Sequence, residues 1–220
     1  MKVIRCIPII KITATLLFII LMMGDCKPGK FQQTSKSDKF EKDIPVSNEV
    51  KGNYEYKMIS KICKTTGLQI LDRGFDSLAI RLWYMYSFDN RIQIIQIKNK
   101  KSNWKGEYIS LEQNFDPNGV VLNTSKKTTP ILHKINWKNF VDSITSLNIL
   151  TLKASYLIPG YVSANDGNFV IVEIATTNKY RIYTYTDINY NAKAFWQAKN
   201  MTEIIKLIES QLGIKSIQNF

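Results

Sequence analysis

Histidine is nearly absent from this sequence: His133 is the only one among 220 residues. That excludes a metal site built from several imidazoles and a proton relay between two of them, and any catalytic triad would rest on this one side chain. Between Leu132 and Lys134, at the edge of a loop, His133 reads as a surface or hydrogen-bonding residue. The three cysteines, Cys6, Cys26 and Cys63, are too far apart in sequence for a Cys-x-x-Cys pair. There is no Gly-x-Ser-x-Gly, and no glycine-rich phosphate loop followed by Lys and Ser or Thr. Acidic residues are few, 18 against 30 Lys and Arg. Glu107 with Glu112, or Asp142 with Glu173, would act as a pair only if folding brought them together. Asn165-Asp166-Gly167-Asn168 lacks the regular oxygen spacing of a calcium loop and reads as a turn. No catalytic residue, metal ligand or cofactor is therefore assigned. A secreted hydrolase using carboxylates assembled by the fold stays as the alternative to a non-enzymatic protein.

What is present begins at the amino end. Lys2, Arg5 and Lys11 precede Ile12 to Gly24, a run of 13 residues without a charge. This is the order of an export signal, and the run is shorter than the ~20 residues of a comfortable membrane span. The other reading is an uncleaved anchor, in which Ile7 to Ile10 lengthen the apolar stretch while Lys11 snorkels. Cys26 follows at once, in Leu21-Met22-Met23-Gly24-Asp25-Cys26-Lys27. These residues resemble a bacterial lipoprotein signal, although Asp25 stands where a small uncharged residue is usual. The resemblance implies that Cys26 becomes the acylated (palmitate-type) first residue of the mature chain. In that case Cys63 is a lone, buried thiol. If Cys26 keeps its thiol, a disulfide between Cys26 and Cys63 in an oxidising compartment is the other outcome.

Residues 26–52 are polar and read as a tether, with a single folded domain over 53–220. The formal charge is +12; removing residues 1–25 takes away three positive charges and one negative, leaving +10. Such a domain is drawn to acidic surfaces: phospholipid headgroups, acidic glycan, an acidic peptide or an envelope protein. Nucleic acid would attract it equally, but export argues against that partner. The expected location is the cell envelope, either membrane-attached or periplasmic or extracellular after export.

The domain pattern predicts an α+β fold, a mainly antiparallel sheet with two or three packed helices. Leu78 to Tyr86, Arg91 to Ile97 and Trp104 to Leu111 are rich in β-branched and aromatic residues and are separated by polar breaks, which predicts a meander. In the first of these, Leu78, Ile80, Leu82, Tyr84 and Tyr86 share one face, and Ala79, Arg81, Trp83 and Met85 share a half-covered second face. A short strand is expected at Val120 to Leu122 within a loop. Trp137, Phe140, Val141, Ile144 and Leu147 fall on one helical stripe behind a cap at Asn136. Phe169 to Ala175 and Lys179 to Thr186 read as a hairpin. A last helix is expected from a cap at Asn200 to a stop at Gly213.

Two polar readings follow from the hairpin. Glu173 and Arg181 would pair across it if the register sets them opposite. Arg81, Trp83, Arg181, Tyr183 and Tyr185 would form a basic aromatic binding surface if they share a solvent face; otherwise these aromatics pack beneath the helices carrying Trp137 and Trp196. The runs Ile80 to Ser87, Ile171 to Arg181 and Trp196 to Met201 resemble uncharacterised exported proteins of Bacteroidetes over roughly residues 75 to 212. The resemblance implies an envelope protein and carries no site residue. The expected function is a non-enzymatic envelope protein that binds or scaffolds a macromolecular partner at the membrane surface.

Overall fold

Helical and strand segments alternate along the domain, and each helix covers a face of the sheet that the strands build. The computed structural model describes residues 39–46, 53–85, 89–132, 135–163 and 168–214. The strands among the described residues are β1 (Glu41–Asp43), β2 (Leu78–Met85), β3 (Arg91–Lys100), β4 (Asn103–Phe115), β5 (Val121–Pro130), β6 (Phe169–Thr176) and β7 (Lys179–Thr186). The α-helices among the described residues are α1 (Tyr54–Thr66), α2 (Trp137–Ser146), the single turn α3 (Ile188–Asn191) and α4 (Trp196–Leu212). One sheet takes up all seven strands in the order β1-β7-β6-β2-β3-β4-β5. Among the described residues only the β1–β7 pairing is parallel. The fold class is the expected α+β.

Both faces of the sheet centre are covered, which explains why β2, β3 and β6 read as nearly continuous apolar runs. On one face Ile80, Leu82, Tyr84, Val172, Tyr183 and Tyr185 pack against Phe140, Val141 and Ile144 of α2 and Met201, Ile204, Ile205 and Ile208 of α4. On the other, Ala79, Trp83, Met85, Ile94, Ile109 and Ile171 pack against Ile59, Ile62 and Cys63 of α1, with Leu71 beside them. The second face of β2 is thus fully buried rather than half-covered. Gly106 lets α2 approach β4: a β-carbon there would lie 2.1 Å from Trp137 Cη2.

Several elements differ from expectation. The sheet recruits Glu41–Asp43, inside the segment read as tether: Lys179 Nζ lies 3.0 Å from Glu41 Oε1 and Arg181 Nε 2.7 Å from Asp43 Oδ2. The folded unit therefore starts before residue 53, while residues 1–38, with Cys26, lie outside the described residues. Asn53 caps α1 by accepting from Tyr56 N at 2.8 Å, and Gly67, at φ 66°, ends the helix. β5 runs ten residues instead of three. The last helix begins at Trp196, so Asn200 is not its cap; its amide instead donates to Leu147 O at 3.0 Å, tying α4 to the end of α2.

Candidate functional site

Beneath α1 the sheet holds a cluster of polar side chains, brought together by register. Arg81 on β2 stands opposite Glu173 on β6 and Gln96 on β3. Arg81 is fully buried and Glu173 is 2% exposed. The guanidinium donates from Nη1 to Glu173 Oε2 at 3.1 Å, from Nε to Gln96 Oε1 at 2.9 Å, and from Nη2 to Gln69 O at 2.9 Å. Glu173 Oε2 also accepts from Trp83 Nε1 at 2.7 Å, and its Oε1 accepts from the Tyr180 hydroxyl at 2.9 Å. Gln96 Nε2 donates to Glu107 Oε2 at 2.6 Å, and Lys98 Nζ lies 3.0 Å from the same oxygen. The chain of contacts thus runs from the dry centre of the domain to its surface at Lys98.

Each group in the cluster is tuned by these neighbours. Burial, reinforced by the Glu173 charge, pushes the Tyr180 hydroxyl far up. Burial pushes the Cys63 thiol up to about 11 although Arg81 Nη1, 3.6 Å from Sγ, opposes it. Partial burial pushes the Glu107 carboxyl up, but the Lys98 and Gln96 donors outweigh it and hold it below the usual range. Charges whose hydrogen-bonding capacity is met by protein are held in place and kept from reacting partners, so this cluster organises the fold.

The open chemistry lies at the outer end of the cluster. Lys98, Lys100, Lys101 and Lys105, with Gln69, Asn103 and Phe75, line a depression of about 580 Å³ at the β3–β4 hairpin. Register sets Lys98 directly opposite Lys105. Like charges facing each other across strands repel, and an anion placed between them relieves the repulsion. Among the described residues Glu107 pairs with Lys98, and no carboxylate pairs with Lys100, Lys101 or Lys105. The hairpin turn places Lys101 and Ser102 at φ 50° and 64°, conformations usually left to Gly or Asn, and so holds the lysines at a tight tip. This lysine cradle was missed in the sequence because four polar neighbours between strands read as an ordinary turn.

The expected basic aromatic surface does not assemble. Arg81 and Trp83 lie on the α1 face, Tyr183 and Tyr185 on the α2–α4 face, and all four are buried. Arg181 is turned to the α2–α4 face, where Nη1 donates to Leu150 O at 2.7 Å and its guanidinium stands 5.2 Å from the Tyr183 ring centre. Glu173 is opposite Ile182, so its cross-strand partner is Arg81 and not Arg181. The carboxylate pairs remain apart: Glu107 and Glu112 point to opposite faces of β4, and Asp142 is on α2, across the sheet from Glu173. His133 and residues 164–167 lie outside the described residues. Among the described residues no group of three His, Cys, Asp or Glu side chains is placed to hold a metal. No known protein family and no curated protein matches the chain.

Proposed function

We propose that this chain is a non-enzymatic envelope protein that holds an acidic macromolecular partner at a membrane surface. The lysine cradle supports this most directly: Lys100, Lys101 and Lys105 are exposed, close together and without a carboxylate partner among the described residues. Lys57, Lys61 and Lys64 extend the basic surface along the outer side of α1. The partner class is an envelope protein, a peptide or an acidic glycan. Export, and acylation at Cys26, belong to the same proposal and are supported by residues 2–26 of the sequence. The closed Arg81–Glu173 cluster gives the cradle a rigid base, since Lys98 is fixed through Glu107 and Gln96.

Binding of the purified protein to alginate and to poly-glutamate, with dextran as the neutral control, tests the reading. Both acidic polymers should bind, more weakly as salt is raised. Joint replacement Lys100→Glu, Lys101→Glu and Lys105→Glu should weaken binding by about tenfold or more. Equal binding by this variant would remove the cradle from the account.

A further inference from the structure

A second feature lies along the side of α1 that borders β4 and β5. Tyr54, Met58, Met85, Phe115, Val121 and Leu122 line a groove of about 870 Å³ between the helix and the ends of β4 and β5. Its apolar walls are open: Leu122 is 67% exposed, Tyr54 61% and Phe115 45%. Large apolar side chains gathered around one concavity mark a binding surface more often than chance exposure does. Lys57 and Lys61, one turn apart on α1, are the only charged side chains that line it among the described residues. The β4–β5 wall thus sets Phe115, Val121 and Leu122 beside the polar Gln113, Asn123 and Thr124, and the helical wall carries the two lysines.

We propose that this groove binds a long-chain anionic amphiphile, one acyl chain along Phe115, Leu122 and Met58 with its carboxylate or phosphate head at Lys57 and Lys61. Charge and shape favour this occupant over a peptide. A peptide carries main-chain N–H and C=O groups that must be paired when buried. The helical wall is already hydrogen-bonded to itself and β4 is paired on both sides by β3 and β5, so within the lining only the free edge of β5 has main-chain groups left to meet them. An acyl chain makes no such demand, and its head requires only the two lysines. The flexible thioethers of Met58 and Met85 can adapt to a chain of variable length.

Calorimetric titration of the full chain with dodecanoate, kept below micelle formation, tests the proposal. One dodecanoate should bind per chain, and dodecyltrimethylammonium, with the same tail and a cationic head, should bind about tenfold more weakly or worse. Leu122→Asp, at an exposed position, should abolish binding while leaving thermal unfolding unchanged. Lys57→Gln with Lys61→Gln should weaken dodecanoate about tenfold and leave dodecyl maltoside unaffected. No saturable dodecanoate binding, or equal affinity for both charged heads, overturns the proposal, as does capture of a synthetic acidic amphipathic peptide in preference to dodecanoate. The cradle variant with Lys100, Lys101 and Lys105 reversed should still bind dodecanoate, so the groove and the cradle fail or stand separately.

Discussion

Arg81 distributes its donors over Glu173, Gln96, the Gln69 carbonyl and the Cys63 sulfur, and none of these contacts could be read from its neighbours in sequence. It reads locally as one polar residue in an alternating strand. Its counter-ion lies 92 residues away, and only the register of β2 with β6 makes them a pair. Glu173→Ala leaves a buried guanidinium uncompensated and should cost about 3–5 kcal/mol in urea unfolding. Replacing both partners, Arg81→Met with Glu173→Leu, should recover most of that loss, because no charge is then left alone. A double variant as unstable as the sum of its singles would mean that the two residues act independently. Cys63 gives a second residue-level test, since burial was expected of it as a lone thiol while its Arg81 contact was not. With the thiol raised from 9.0 to about 11, the folded chain holds a proton that the unfolded chain gives up. Its contribution to stability is full below pH 9.0 and falls as pH rises toward 11. Cys63→Ala should flatten the alkaline decline in melting temperature, and native Cys63 should react with a small thiol reagent far more slowly than in urea.

At the level of elements, legibility followed burial. α2 and the β6–β7 hairpin were readable because each sets an apolar pattern against one neighbour, and Asn136 does cap α2 by accepting from Asn139 N at 3.1 Å. β5 was underestimated because Asn123 to Thr129 are polar on both faces. It lies at the sheet edge with almost every residue exposed, so no alternation was imposed on it. β1 escaped for a related reason: three polar residues gain strand geometry from β7 and from ion pairs, not from their own propensity. The packing of α2 on β4 has a sharp test at Gly106. A β-carbon there would overlap the Trp137 ring, so Gly106→Ala should destabilise the fold by about 1–3 kcal/mol in thermal or urea unfolding. Adding Trp137→Leu to that variant should return part of the loss; no recovery would show that the strain arises elsewhere.

For the whole molecule, charge is divided between what folds it and what it offers outward. Burial raises the Asp72 carboxyl, but hydrogen bonds from Tyr56 and Lys42 more than offset this; Arg91 lowers Asp89, and Lys98 with Gln96 lower Glu107. A depressed carboxylate contributes fully above its unfolded pKa of about 4 and loses that contribution as pH falls through the folded value. Melting temperature should therefore fall below about pH 4, with a smaller fall in Glu107→Gln. The outward charge was visible in composition as a net +12, and its concentration at one hairpin became visible only once β3 and β4 were paired. The most direct test of the partner-binding account is photocrosslinking in cells that make the protein, with the reactive side chain at Lys101 in the cradle or at Lys193, exposed beyond α3. The account predicts a discrete, salt-sensitive adduct from Lys101 that is lost when Lys100 and Lys105 become Glu, and none from Lys193. The same adducts from both positions, or none from Lys101, would contradict it.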